Sequence, residues 1–321
     1  MYHFPMRTPV ASLRRHLCVA LLGAVAALAS GCSAPAPPAG PPLAIGVESQ
    51  YADVLSQIGG PYIRVRAILT NPNTDPHSFE ANPAVAREVT SAAVVVMNGL
   101  GYDAWIDRLL AAVPDPRRRV IDVRRLLGLR SDTVNPHLWY DPRTMPAVAR
   151  AAAEAFAALE PAHAAYFAAN ARQFDASLAP WRAAIAAFRK NYGGTPVAVT
   201  EPVADALLEA AGCRILTPLA LELAIMNGTD PSPQDVAAEQ ALLRGRAVRV
   251  LIYNQQVTSP LTASFLQLAR EHHIPVVGVY ETMPQPGYHY QSWMLAEVEA
   301  LREAVAHGVS SQRLSGTAGG R

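Results

Sequence analysis

The chain has 321 residues, half of them hydrophobic and 17% charged, with 27 Lys and Arg against 26 Asp and Glu. So even a balance argues against a nucleic-acid partner, which calls for a basic face. Of three cysteines, Cys18 and Cys32 stand near the N-terminus and only Cys213 lies further on, so an intramolecular disulfide in the body is excluded.

Residues 1–31 read as an export signal: Arg7, Arg14 and Arg15 without any acid, then the apolar run from Leu17 to Leu28, then small residues. The run is too short to remain as a membrane-spanning helix. Leu28-Ala29-Ser30-Gly31-Cys32 resembles a bacterial lipoprotein cleavage site with Cys32 as the lipidated residue, although Ala29 stands where Leu is usual. The alternative is an ordinary secretory signal with Cys32 as a bystander. Residues 32–42 follow as a Pro-rich tether, in which proline favours extended, unpaired backbone. Removal of residues 1–31 leaves 24 basic against 26 acidic residues, about −2.

From Leu43 onward, short β-prone runs alternate with helical patterns. LAIGVE, IRVRAIL, AVVVMNG and RRVIDV are strand-like, and YADVLSQIGG and YDAWIDRLLAAV are helical. Such alternation predicts βα units and a mostly parallel sheet. A second set, PVAVTE, RILTP, VRVLIYN and PVVGVYE with helices at ADALLEAAG and LTASFLQLAREH, predicts a second lobe. The expected fold is therefore α/β, with an N-terminal lobe over 43–142 and a C-terminal lobe over 193–309. Between them, residues 143–192 show almost no strand signal. They predict one helix over 143–158 and a long one from 161 to about 191, bent or broken near Pro180, as a stiff connector. The tail 310–321 reads as disordered.

Two Pro-His turns stand out, DPHSFEANP around His77 and NPHLWYDP around His137, both in loops of the first lobe. In the second lobe Glu201 ends the strand PVAVT and Glu281 ends PVVGVY. Ligands of open α/β sheets gather at the carboxyl ends of strands, so these four side chains can project into one cleft between the lobes. Two imidazoles and two carboxylates suit a divalent transition metal and match its charge. Each residue also has a plainer account: a loop His is often solvated, and a strand-end Glu such as Glu201 often caps the next helix. His163, His272 and His273 are read as structural or solvated. His289 stands eight residues past Glu281, and Trp139 and Tyr140 are expected to wall the pocket rather than touch an ion.

On the motifs DPHSFE, NPHLWYDP, TEPVADALLEAAG and PVVGVYETMPQPG, and on the helix entry DPSPQDVAA where Ser232 can cap, the chain resembles a known family. It resembles the zinc- and manganese-binding solute-binding proteins of bacterial ABC importers, the cluster A-I family that includes lipoprotein adhesins. The resemblance implies two lobes bridged by a long rigid helix, and one metal in the cleft held by His77, His137, Glu201 and Glu281. It further implies delivery of Zn(II) or Mn(II), as transported ligand rather than catalytic cofactor, to an ABC permease by an extracytoplasmic monomer that is no enzyme. Two departures stand against the pattern. Glu281 replaces the usual Asp, and no His-rich loop lies between Arg117 and Asn135.

Paired carboxylates tilt such a site toward harder ions and so toward Mn(II), whereas Zn(II) binds tighter by the ordinary affinity order. Two rival readings are a metalloenzyme with an open coordination position, and an adhesin or metal-chelate binder on the same architecture.

Overall fold

Leu43–Glu48 is apolar almost without a break and is buried along its whole length as strand β1, as a strand covered on both faces must be. The computed structural model describes residues 1–3, 40–72, 76–284 and 287–314. The export signal, Cys32 and most of the tether lie outside the described residues. Among those described, no helix is long and apolar enough to cross a membrane.

In the first lobe β1 is followed by α1 (Ser49–Gly59), β2 (Arg64–Leu69), α2 (Pro83–Thr90), β3 (Val94–Met97), α3 (Ala104–Ala112), β4 (Arg119–Asp122) and the one-turn α4 (Val123–Leu126). The connector comprises α5 (Thr144–Leu159), α6 (Ala164–Ser177) and α7 (Ala179–Tyr192). The second lobe holds β5 (Pro196–Val199), α8 (Asp205–Ala210), β6 (Arg214–Ile215), α9 (Leu219–Met226), α10 (Pro233–Arg244), β7 (Val250–Asn254), α11 (Pro260–Glu271), β8 (Val276–Val279) and α12 (Tyr290–His307).

The strand orders are β2-β1-β3-β4 and β6-β5-β7-β8, and every pairing between these strands is parallel. The two lobes thus repeat one topology. Each order reverses between its first and third strands, and the carboxyl edge at such a switch point is where open α/β sheets bind ligands. The edge strand β2 keeps Arg64 exposed, whereas β1, β3 and β7 are fully buried. Edges that carry charge do not recruit further strands.

The connector, expected as a helix from 161 to about 191 bent or broken near Pro180, is a 3-10 turn, Pro161–His163, followed by two helices of 14 residues separated at Leu178. Pro180 sits in the first turn of α7, and without an N–H it cannot continue the hydrogen-bond ladder of α6. One expectation changes at the C-terminus, where residues 310–314, expected as part of a disordered tail, run along the edge of the second sheet. Ser311 pairs in parallel with Val277, Gly278 N donates to Ser311 O at 2.9 Å, and Leu314 N donates to Tyr280 Oη at 3.0 Å. The free edge of β8 supplies donors and acceptors that a short polar tail can satisfy.

Helices α9 and α12 are absent from the sequence reading. In α9, LALELAIM is apolar nearly all round and lacks a polar face to betray its period. In α12 the signal was present: Tyr290, Trp293, Met294, Glu297, Val298, Leu301, Ala304 and Val305 form a buried stripe at helical spacing.

One continuous hydrophobic cluster joins the inner faces of both sheets to the connector through Tyr51, Trp139, Phe156, Phe174, Trp181 and Trp293. Helix α1 packs on α5 and α6, and α12 packs on α7. The connector is thus clamped on both lobes, α5 and α6 on the first and α7 on the second.

Candidate metal centre

Three of the four expected ligand residues meet where the carboxyl edges of the two sheets face each other. His77 lies in a 3-10 turn, Pro76–Ser78, after β2, His137 immediately precedes the 3-10 turn Leu138–Tyr140, and Glu281 follows β8 by one residue. One ligand atom from each falls within 4.8 Å of the others, and among the described residues this is the one such group of His, Cys, Asp or Glu. Glu281 Oε2 stands 3.3 Å from His77 Nε2 and 3.6 Å from His137 Nε2. His137 and Glu281 are fully shielded side chains, whereas His77 keeps 18% of its side chain exposed and forms the open side of the triad. A cavity of about 330 Å³ opens on it, lined by His77, Tyr102 and Pro136 of the first lobe and by Leu223 and Met226 of α9.

Glu201 does not enter this three-residue group. It is buried at the end of the loop after β5 and makes no capping hydrogen bond to the 3-10 turn Pro202–Ala204 that it precedes. Its plainer role as a helix-capping acid is therefore unrealised. The carbonyl oxygen of the next residue, Pro202, accepts from Asn135 Nδ2 at 2.7 Å, which ties the Glu201 loop to the His137 loop across the cleft.

The same Asn135 orients the imidazole. Its Oδ1 lies 2.9 Å from His137 Nδ1 and also accepts from the His137 backbone N at 2.9 Å. With the amide nitrogen committed to Pro202, the oxygen must face the ring, so Nδ1 carries a hydrogen and Nε2 is the atom turned toward Glu281. The Asn-Pro-His order is thus a positioning device. Trp139 meets the ring of His137 edge-on with centroids 5.3 Å apart, and Tyr102 meets that of His77 at 4.8 Å.

Glu281 is held at every polar atom. Oε2 accepts from Tyr102 Oη at 3.0 Å and Oε1 from Asn254 Nδ2 at 2.7 Å. Its backbone N donates to Gln256 Oε1 at 2.6 Å, and its carbonyl accepts from Gln50 Nε2 at 3.0 Å. Burial by itself raises its pKa, but hydrogen bonds and charge from His137 and His77 outweigh it and hold the carboxyl well below the usual range. Burial pushes His137 below its ordinary value, against the opposing pull of Glu281. The carboxylate is thus favoured in its ionised form, and metal binding must displace any proton held between it and the imidazoles.

Tyr102 reaches Glu281 from a strained loop. Gly99, Leu100 and Gly101 have φ of 82°, 58° and 80° in succession, and a non-glycine residue in that left-handed region costs on the order of 1 kcal/mol. The buried carboxyl of Asp103 closes the loop by accepting from Asn98 N at 2.6 Å and Gly99 N at 2.9 Å. Tyr102, Asn135, Asn254, Gln256 and Gln50 all escape the sequence reading. For Asn135 a signal existed in its fixed place beside Pro136-His137; the other four act over long separations that leave no local trace.

Three further histidines are engaged elsewhere. His163 stacks on Tyr62 with centroids 3.5 Å apart, His289 Nδ1 lies 2.8 Å from Asp53 Oδ1, and His272 caps α11 at its C-terminus.

Residues 48–304 match the family model described as zinc-uptake complex component A, periplasmic. Among curated proteins, the manganese-binding lipoprotein MntA of Bacillus subtilis is 28% identical over 137 residues, 40% of this chain and 44% of that protein. The alignment therefore spans less than half the length of that relative. Among solved structures, the periplasmic zinc-binding protein TroA from Treponema pallidum superposes with a TM-score of 0.71 at 14% identity, covering 84% of this chain and all of that one. The solute-binding protein FpvC from Pseudomonas aeruginosa, solved in complex with Mn2+, gives 0.66 at 21% identity over 83% of this chain and 98% of its own. At these identities the two structures establish a shared fold.

Proposed function

Because the chain belongs to the zinc-uptake complex component A periplasmic family, we propose that it is an extracytoplasmic receptor that captures one divalent transition metal ion, Zn(II) or Mn(II), and delivers it to an ABC permease. The observation that carries this reading is the convergence of His77, His137 and Glu281 from two lobes into one shielded group of donors. In this reading the ion is cargo rather than a catalytic centre.

Glu201 serves as the fourth ligand in this reading. Its support is indirect, coming from burial and from the tether between Pro202 and Asn135. A fourth protein donor closes the coordination sphere, which separates a carrier from a metalloenzyme that keeps a position open. The metals bound by similar proteins, manganese for MntA and zinc for TroA, support the choice of these two ions.

Capture proceeds through the exposed side at His77, and release requires the two lobes to part by a small movement that the clamped connector limits. Cys32 is the proposed lipid attachment site, and the Pro-rich residues after it hold the body off the membrane. The chain acts as a monomer, and a further part in adhesion has no support from the site itself.

The direct test is titration of chelator-treated protein with Zn(II) and with Mn(II), read by melting temperature. An ion held from both lobes stabilises the folded state by roughly 4 kcal/mol at about a thousandfold its Kd. A melting temperature indifferent to both ions and to chelator ends the reading. Elemental analysis of protein purified from its native host then decides which ion it carries.

A further inference from the structure

We propose that Asn254 makes Glu281 a one-oxygen donor and so acts as a positioning residue that sets which metal the cleft prefers. The inference rests on the receptor reading above and deepens it.

The evidence is the division of labour between the two oxygens of Glu281. Oε2 faces His77, His137 and the Tyr102 hydroxyl, at 3.3, 3.6 and 3.0 Å. Oε1 is engaged by Asn254 Nδ2 at 2.7 Å, a charge-assisted contact shorter than the usual amide hydrogen bond. Asn254 has no freedom to release it. It is the last residue of β7 and 1% exposed. Its Oδ1 accepts from Gln256 N at 3.0 Å, which fixes the orientation of the amide, and its backbone N donates to Thr200 Oγ1 at 3.0 Å, beside Glu201.

Glutamate has one more methylene than aspartate, and that length ordinarily lets a carboxylate turn until both oxygens meet an ion. Here the clamp on Oε1 and the backbone contacts to Gln256 and Gln50 oppose the turn. One oxygen from Glu281, two imidazole nitrogens and a carboxylate from Glu201 make a small donor set. Zn(II) accepts four donors, whereas Mn(II) favours a larger, oxygen-rich shell. The clamp therefore moves selectivity toward Zn(II), against the tilt that two carboxylates alone impart.

The test compares Zn(II) and Mn(II) dissociation constants for the wild-type chain, Asn254→Ala and the near-isosteric Asn254→Leu, with Co(II) absorption as a reporter of coordination number. With Oε1 released, the ratio Kd(Mn)/Kd(Zn) is expected to fall about 10-fold, a change of about 1.4 kcal/mol. The Co(II) visible band should lose the intensity of a four-coordinate ion. In a Glu281→Asp background, whose shorter side chain no longer reaches Asn254, removal of the amide should change the ratio no further. A wild-type ratio and Co(II) spectrum in both Asn254 variants overturn the inference while leaving the receptor reading intact. Failure of the wild-type chain to bind any of the three ions overturns both. Melting temperatures of the metal-free variants identify any that fails to fold, and the Glu281→Asp chain, carrying Asn254 unchanged, then decides the matter by its own ratio and spectrum.

Discussion

Tyr102 of the first lobe donates its hydroxyl hydrogen to Oε2 of Glu281 in the second, across 3.0 Å and 179 positions of sequence. The carboxylate it meets is wholly shielded from solvent, and its other oxygen is served by a second neutral donor, Asn254. Hydrogen bonds to a buried charge contribute about 1.5–3 kcal/mol each. Tyr102→Phe should therefore lower the unfolding free energy of the metal-free protein by an amount in that range, measured by urea denaturation. A stability equal to wild type would mean that the lobes do not close on this contact in solution.

The ligand assignment makes a sharper prediction. Glu281→Gln keeps the volume but removes the charge and most of the donor strength, and should weaken metal affinity about 10-fold or more, at least 1.4 kcal/mol. Glu201→Gln should do the same if that carboxylate completes the site. His163→Gln should leave affinity unchanged, because its ring is stacked on Tyr62. Isothermal titration at neutral pH distinguishes these outcomes, and an undiminished affinity in Glu281→Gln would remove the central residue of the triad.

Protons compete with the metal for the same lone pairs, so affinity must fall as pH falls. The window follows from the shifts at the site. Burial holds His137 below its ordinary pKa, and the imidazoles hold Glu281 below the carboxylate range. Affinity should therefore fall as pH drops through the range in which the imidazoles take up protons, with the contribution of His137 displaced to the acid side. Titrations at stepped pH test this; a steep loss that begins above the ordinary histidine range would contradict the assigned protonation states.

Several buried carboxyls with raised pKa values, Glu222 and Glu239 among them, lower stability at higher pH, and Glu297 is a testable one. Glu297 on α12 is buried, and desolvation raises its pKa to about 8, opposed by donors at Trp293 Nε1 (2.9 Å) and Tyr140 Oη (3.3 Å). The folded state then binds more protons than the unfolded chain, so stability falls as pH rises from the ordinary Glu value, 4.5, through about 8, by up to about 1.4 kcal/mol per pH unit. Glu297→Gln mimics the protonated form and should flatten this slope, raising the melting temperature at pH 8 and above but not at pH 4. Parallel pH dependences for the two proteins would place the proton elsewhere.

The proposed anchor is tested independently of the metal. Cys32→Ala should move the mature protein from the membrane fraction to the soluble fraction. Unchanged partition would leave an ordinary secretory signal as the better account of residues 1–31.

What the sequence by itself determined was what depends on neighbours a few residues apart. The alternation of LAIGVE, IRVRAIL and AVVVMNG with helical stripes announced parallel α/β lobes because side-chain period and burial are set within a single element. Pro136 and Pro76 marked the two histidine turns because proline restricts its own φ wherever it stands. The break between α6 and α7 was local in the same way, since Pro180 lacks an N–H. Only the tertiary structure decided which donors converge. It brought His77, His137 and Glu281 together. It recruited Tyr102, Asn254 and Gln50, whose partners lie dozens to hundreds of residues away and whose own surroundings in sequence carry no periodic mark of that contact. It also ordered residues 310–314, because the open edge of β8, and not anything in the tail's composition, supplied the hydrogen-bond partners. A metal centre at a junction of two lobes is assembled by chain crossings, and the direction of a carboxylate there is set by whichever groups the two sheets carry to the same point.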